Sequence, residues 1–147
     1  MVAKGEIAPD FEAPTSQGNA VRLSALRGRP VVLYFFPKAD TPGCTVESKA
    51  FRDLEPEFAR QGVQVVGIST DDVPDQVHFA EKCHLPFPLV ADPTKSITRS
   101  FGVLGVTGRA RRVTFYLDAN GQVLDTVDSS LPGSHVDRAR ALFLPAT

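Results

Sequence analysis

Three short apolar runs, each followed by a helical pattern, constrain the fold of this chain more than any other feature. The first run, VVLYFF at residues 31–36, contains no polar residue, and VQVVGIST (63–70) and FPLVAD (87–92) have a similar character. Runs without polar alternation are typical of strands that are covered on both faces, as in a parallel sheet. The pattern therefore predicts buried strands at the centre of an α/β fold.

The segments between these runs predict two longer helices. Residues 44–62 carry apolar residues near helical spacing and end at a glycine, as helices often do. Residues 71–85 form a second helical pattern, which Asp71 or Asp72 is placed to open.

The last third of the chain completes the predicted fold. It indicates a short helix near 94–101, a hairpin that turns around Asn120 and Gly121, and a final helix capped by Ser134. This order of strands and helices predicts a three-layer α/β sandwich with a mixed central sheet. The 147 residues suit a single domain spanning 1–147.

The residues that follow the first apolar run predict the start of a helix. Thr41 suits the N-cap and Pro42 the first helical position, which places Gly43 second and Cys44 third. The free N–H groups and the positive end of the helix dipole favour an anion in this turn, and the thiolate is the nucleophilic form of cysteine. The carboxyl edge of a parallel sheet is also the usual place for sites in open α/β folds. Cys44 is therefore a candidate nucleophile, with a structural cysteine behind the turn as the alternative.

The other chemical signals are weak. The chain has two cysteines, Cys44 and Cys83, and neither belongs to a C-x-x-C motif of the thioredoxin type. The three histidines and two cysteines show no recognised spacing of metal ligands, so no metal site is predicted.

Charge and hydropathy disfavour two broad classes of partner. The net charge of −1 and the scattered Lys and Arg residues disfavour nucleic-acid binding. No run approaches the roughly 18 apolar residues of a membrane span, and no apolar stretch follows the N-terminal lysine. We therefore expect a cytoplasmic protein without membrane contact.

The stretch PKADTPGCT resembles the active-site loop of the peroxiredoxins, with its P-x-x-x-T-x-x-C pattern. The segments APDFEAPTSQG, ESKAFRDLEPEF, GISTDD and FPLVAD, in that order, are similar to the bacterioferritin comigratory protein or PrxQ branch of that family. The resemblance runs nearly end to end. It implies a thioredoxin-like fold with an N-terminal extension and an inserted helix–strand unit, and a thiol-dependent peroxidase activity that needs no cofactor.

The resemblance also implies the roles of individual residues. Cys44 matches the peroxidatic cysteine, Thr41 the residue whose hydroxyl contacts the thiolate or peroxide, and Pro37 the residue that shields the site. In RRVTF, Arg112 matches the arginine that precedes a late strand, and Arg111 is interpreted as a solvated neighbour. A permanent guanidinium charge at Arg112 suits both a thiolate and the charge that develops on a peroxide.

The chain departs from the commonest family pattern at the resolving cysteine. Lys49 occupies the position five residues after Cys44 where many members carry it. Cys83 is the remaining candidate, although an ungapped comparison would place this cysteine near Ala80; an inert buried cysteine is the alternative. Two right-handed crossovers put both helices on one sheet face, but Cys44 begins its helix and Cys83 ends the other. A disulfide would therefore require local unwinding.

Two functions from different classes fit these features. The first is a peroxidase acting on hydrogen peroxide and small organic hydroperoxides, with thioredoxin or another thiol as reductant. The second is a non-enzymatic redox sensor or chaperone that uses the same oxidisable Cys44. A monomer is expected, because no exposed apolar stripe stands out in the sequence.

Overall fold

The structure is a computed structural model that describes residues 1–145. Within these residues, seven strands and four helices follow one another, with one 3₁₀ turn at Leu23–Leu26. Their order and bounds are β1 (Glu12–Pro14), β2 (Ala20–Arg22), β3 (Val31–Phe35), α1 (Pro42–Arg60), β4 (Gln64–Ser69), α2 (Val73–Cys83), β5 (Leu89–Ala91), α3 (Ser96–Ser100), β6 (Val113–Leu117), β7 (Val123–Asp128) and α4 (Pro132–Phe143).

The central sheet has five strands in the order β5-β4-β3-β6-β7. β3 pairs in parallel with β4, and β4 with β5, whereas β6 runs antiparallel to both β3 and β7. Every residue of β3 is buried, which explains why its sequence lacks polar alternation. The predicted mixed sheet and its three buried parallel strands are confirmed.

Two apolar clusters cover the two faces of this sheet. One cluster contains side chains of α1, α2 and α4, and the other is formed with α3, the 3₁₀ turn and the N-terminal segment. The arrangement is a three-layer sandwich, as the order of elements predicted.

The structure corrects the N-cap predicted for the last helix. α4 begins at Pro132, and the hydroxyl of Ser134 donates to the carbonyl of Leu131 instead of capping the helix. Pro132 accounts for the earlier start, since proline is well suited to the first helical position. By contrast, Asp72 caps α2 by accepting from the N–H of Asp75.

The short antiparallel pair β1–β2 was missing from the sequence interpretation. Its strands have three residues each and flank the polar turn at 15–19. Strands this short have no readable alternation, so tertiary pairing decides their structure.

The carboxyl edge of β3 and β4 positions the loop in front of α1. The N–H of Phe36 donates to the carbonyl of Ile68 over 2.9 Å, which extends the pairing beyond β3. The N–H of Ala39 donates to the carboxylate of Asp71 over 2.8 Å, in the loop that follows β4. Residues 37–41 are therefore fastened to the neighbouring β–α connection.

Among residues 1–145, no helix is both long and apolar enough to cross a membrane.

Candidate active site

Cys44 lies in the first turn of α1, where the helix-start signals placed it. Thr41 is the N-cap residue and its carbonyl accepts from the N–H of Thr45 over 2.9 Å, so the regular helix begins directly before the cysteine. The thiol has no exposed surface. The backbone around Cys44 thus supplies the environment of a helix N-terminus.

Thr41 and Pro37 lie in the loop next to Cys44 and are both partly buried. The hydroxyl of Thr41 donates to the carbonyl of Lys38 over 2.9 Å and makes no capping bond to the helix. This hydroxyl is therefore engaged with its own loop in the structure, and it must rotate before it can donate to a ligand at the sulfur.

Arg112 lies beside Cys44 although the two residues are 68 positions apart in the sequence. It immediately precedes β6, which pairs with β3, and its Nη2 lies 3.4 Å from the Sγ of Cys44. Arg111 instead pairs with Asp128 over 3.1 Å at the surface. Successive side chains of an extended segment point to opposite faces, which separates the two arginines.

The guanidinium of Arg112 is held by a buried carboxylate. Its Nη1 donates to Oε1 of Glu47 over 2.7 Å, and the arginine side chain is only 10% exposed. Burial lowers the pKa of Arg112, but the neighbouring Glu47 and Cys44 raise it by more, so it lies above its ordinary value. Arg112 therefore remains a cation beside the sulfur.

Glu47 is a site residue that the sequence interpretation did not identify. It lies three residues after Cys44, on the same side of α1, and is fully buried. Burial raises the pKa of Glu47 to about 7, although Arg112 acts in the opposite direction. The only sequence signal was this spacing, and a glutamate in a helix is ordinarily interpreted as solvated.

His135 of α4 lies behind Glu47 and is also fully buried. Its Nε2 donates to the carbonyl of Ser129 over 2.7 Å, and its Nδ1 accepts from the hydroxyl of Thr114 at the same distance. Burial lowers the pKa of His135, so the neutral ring is favoured. Its Nδ1 is 3.8 Å from Oε2 of Glu47.

Gly43 provides the space for the guanidinium. A Cβ atom at this position would lie 3.0 Å from Nη2 of Arg112. Such a contact is tighter than ordinary van der Waals contact, so a larger residue would displace the guanidinium.

Cys83 ends α2 and lies in the same apolar cluster as Cys44, and both cysteines are free thiols. The middle of α1 contacts Cys83, since Nη1 of Arg52 donates to the carbonyl of Cys83 over 2.8 Å. Arg52 follows Cys44 by eight residues, a rise of about 12 Å along a helix. Burial raises the pKa of the Cys83 thiol, against a lowering by Lys49.

Two polar connections join the loop before α1 to α2. Lys82 donates to Asp40 over 2.7 Å, and Nε2 of His78 is 3.7 Å from the same carboxylate. On the buried side, Asp71 accepts from Ala39 and from the hydroxyl of Ser69. Gln76 of α2 donates to that hydroxyl over 2.9 Å. The two elements that carry the cysteines are therefore linked through their side chains.

Comparison with known proteins assigns the chain to a family. The sequence model of the AhpC/TSA family matches residues 4–126. Peroxiredoxin Bcp of Escherichia coli strain K12 is 39% identical over 140 residues, and the match covers 90% of each protein. The chain belongs to the AhpC/TSA family, among the Bcp/PrxQ peroxiredoxins.

Solved structures of Bcp/PrxQ peroxiredoxins share this fold. The crystal structure of peroxidoxin BcpB from Mycobacterium tuberculosis is 41% identical, with a TM-score of 0.90 and 96% of each chain covered. A structure concerned with the alkyl peroxide reduction activity of the Xanthomonas campestris bacterioferritin comigratory protein is 33% identical, with a TM-score of 0.83. That match covers 89% of this chain and 88% of the other.

Family membership confirms the resemblance seen in the sequence, the thioredoxin-like fold and the class of enzyme. Peroxiredoxins are thiol peroxidases, which use a peroxide as substrate and a thiol as reductant. The enzyme class disfavours the alternative of a purely non-enzymatic sensor or chaperone.

Proposed function

We propose that Cys44 is the peroxidatic cysteine of a cycle that passes through a sulfenic acid. The thiolate sulfur attacks one peroxide oxygen, an S–O bond forms and the O–O bond breaks. The sulfur loses two electrons to the peroxide, and the leaving oxygen takes a proton to become water or an alcohol. No step of this reaction requires a cofactor or a metal.

The observation that carries this proposal is the 3.4 Å contact between Nη2 of Arg112 and the sulfur of Cys44. A fixed positive charge at this distance favours the thiolate and stabilises the charge that moves onto the peroxide oxygens. Since Glu47 holds the other side of the guanidinium, the charge is already oriented before substrate binds.

Thr41 and Pro37 shape the approach to the sulfur in this proposal. The Thr41 hydroxyl exchanges its bond to Lys38 for one to the peroxide, at little cost because both acceptors are oxygen atoms. Pro37 has no N–H group, so it can exclude water without offering a competing donor.

The proposed substrates are hydrogen peroxide and small organic hydroperoxides. Because Cys44 is fully buried, a substrate must be small or must open the loop. The Xanthomonas campestris relative, whose structure concerns alkyl peroxide reduction, supports the inclusion of organic hydroperoxides.

We propose that Cys83 resolves the sulfenic acid, and that thioredoxin or another thiol then reduces the disulfide. Cys83 attacks the oxidised sulfur, an S–S bond forms and water leaves. The Cα atoms of a disulfide lie within about 7 Å, whereas Cys83 packs beside Arg52 in the middle of α1. α2 must therefore unwind, and Pro86 and Pro88 beyond its end limit the structure that must be disrupted.

The alternative is a one-cysteine cycle in which an external thiol reduces Cys44 directly. The full burial of Cys83 and its raised pKa favour this alternative, because they make the thiol unreactive while α2 is folded.

Mass spectrometry after one equivalent of peroxide, without reductant, decides between the two cycles. A loss of two hydrogens, with the peptides around Cys44 and Cys83 joined, supports resolution by Cys83. A gain of one oxygen on Cys44, with Cys83 still open to alkylation and Cys83→Ser fully active with thioredoxin, would overturn it.

The control for the whole assignment is Cys44→Ser, which must abolish turnover because a serine hydroxyl does not ionise near neutral pH. We further propose a monomer, since the exposed large apolar side chains among residues 1–145 are few and are spread along the sequence: Met1, Ile7, Val46, Val106, Leu124 and Leu131. Sedimentation equilibrium tests this assembly state.

A further inference from the structure

The carboxylate of Glu47 has one oxygen without a use in the proposed function. Oε1 accepts from Arg112, whereas Oε2 is buried and has no hydrogen-bond partner within residues 1–145. A buried carboxylate oxygen that lacks a donor is costly, so its presence asks for a physical explanation.

The ring of His135 explains which form of Glu47 fits the site. Nε2 of the ring must carry the hydrogen, because the carbonyl of Ser129 can only accept. The neutral ring therefore carries no N–H on Nδ1, which accepts from the hydroxyl of Thr114 and lies 3.8 Å from Oε2 of Glu47. A charged carboxylate therefore finds no donor for Oε2, and burial of an unpaired charge favours the neutral carboxylic acid. The raised pKa of Glu47 agrees with this geometry.

The sum of the buried charges shows in which state of Cys44 the carboxyl group of Glu47 carries a proton. With Cys44 as thiolate, the buried charges are those of Cys44, Arg112 and Glu47, and they sum to zero only if Glu47 carries a proton. Once Cys44 is a neutral sulfenic acid, Arg112 is balanced by an ionised Glu47 instead. Uncompensated charge in the interior is unfavourable, so the two ionisations are coupled.

We propose that Glu47, backed by His135, stores the proton that the peroxide reaction consumes and releases it as the charge on Cys44 is lost. The inference rests on the proposed thiolate chemistry of Cys44. The step is balanced: thiolate, hydroperoxide and one proton give sulfenic acid and alcohol, and the proton comes from Glu47 instead of from solvent. Glu47 releases this proton because, once the thiolate charge is lost, its carboxylate is paired with the cation of Arg112.

The other ionisable groups around Glu47 are less suited to supply the proton. Arg112 remains a cation, and burial raises the pKa of Tyr34 and of Tyr116 above the ordinary range. Asp128 favours protonation of His135 but is outweighed by burial. Near neutral pH, Glu47 is therefore the group best placed to exchange the proton.

The experiment counts protons during a single oxidation. A Cys83→Ser background restricts the reaction to its first step, and one equivalent of hydrogen peroxide is added in weakly buffered solution near pH 6 with a pH indicator. Absorbance at 240 nm measures how much Cys44 is thiolate beforehand. We expect proton uptake from solution close to zero with Glu47 present, and close to one proton per oxidised thiolate in Glu47→Gln.

Glu47→Gln keeps an acceptor for Arg112 but cannot release a proton. The matched control is Thr114→Val, which alters the same buried network without removing an ionisable group, and its proton count should stay close to zero. Uptake of one proton per thiolate with Glu47 intact would overturn the inference while leaving the proposed function standing. A Cys44 that does not react with peroxide would instead overturn the proposed function.

A second measurement covers the case in which Glu47→Gln does not fold. Infrared difference spectra of the protein with Glu47 intact should show the carbonyl band of a protonated carboxyl group disappear when Cys44 is oxidised. An unchanged carboxyl region would overturn the inference without any variant at Glu47.

Discussion

Lys82 donates to Asp40 over 2.7 Å, and this ion pair joins the loop in front of Cys44 to the helix that ends at Cys83. Both partners are partly exposed, so the pair contributes modestly and is weakened by salt. Its place in the fold nevertheless gives it influence, because this ion pair must break before the end of α2 unwinds in the proposed cycle.

We predict that Asp40→Asn releases α2. Asp40 has a φ of 63°, a conformation that asparagine tolerates well, so the substitution removes the charge without straining the loop. Amide hydrogen exchange in α2 should accelerate about two- to five-fold in the reduced protein, and disulfide formation should accelerate in proportion. High salt should reproduce the effect in the unmodified protein.

Asp125→Asn is the control for this prediction, since it breaks a similar exposed pair with Arg138 on another part of the surface. Unchanged exchange in α2 of Asp40→Asn would show that the ion pair does not hold the helix. Faster exchange without faster disulfide formation would instead argue against Cys83 as the resolving residue.

Arg112→Met should slow the reaction of Cys44 with peroxide by about two to three orders of magnitude, because a charge aimed at the transition state is lost. Arg111→Met removes the same charge from the neighbouring residue, whose partner is Asp128 at the surface. It should leave the rate within about twofold. Stopped-flow rates of peroxide reduction measure both, and a greater loss in Arg111→Met would reverse the assignment.

Gly43→Ala should slow peroxide reduction about tenfold, because its Cβ would meet Nη2 of Arg112 at 3.0 Å and move the guanidinium from the sulfur. Gly133→Ala provides a close control: it also follows a proline at the start of a helix, and no atom lies within 4 Å of its new Cβ. Equal rates in the two variants would show that the space at Gly43 is not required.

Glu47 should make stability depend on pH. Its pKa is raised from 4.5 to about 7, so between these values the folded protein binds more protons than the unfolded chain. The free energy of unfolding therefore falls by up to about 3 kcal/mol as pH rises through this window. His135, whose pKa is lowered, acts in the opposite direction near pH 6.5.

Comparison with Glu47→Gln isolates the contribution of Glu47 from that of His135. The free energy of unfolding is measured in urea at pH 4.5 and at pH 8 for both proteins. From the lower to the higher pH, the difference between them should shift in favour of Glu47→Gln by about 3 kcal/mol. A difference that does not vary with pH would mean that folding does not raise the pKa of Glu47.

The sequence predicted the parts of the site that depend on local rules. The N-cap, proline and glycine before Cys44 specify a helix start wherever the helix lies, and alternation along an extended segment distinguishes Arg112 from Arg111. The apolar runs likewise specified the buried strands, because their burial leaves no polar alternation.

The remaining features depend on tertiary contacts that no local pattern encodes. Glu47 looks like any solvated helix residue until α4 covers it, and His135 becomes part of the site only because α4 packs there. Similarly, serine is a favoured N-cap residue, which suggested Ser134, but the helix begins earlier, at Pro132. Arg112 also joins the site through long-range packing, and its prediction rested on the family resemblance, which gave no such indication for Glu47 or His135.

The complete burial of Cys44 has a consequence for the order of events in the proposed cycle. An oxygen atom added to this sulfur makes the side chain larger and more polar at a position that has no exposed surface. The oxidised residue therefore fits the starting fold less well than the thiol did, and the first turn of α1 opens more readily after oxidation than before it. An opened loop would accordingly indicate a molecule in which a peroxide has already oxidised Cys44. Reduction by a thiol would restore the closed loop.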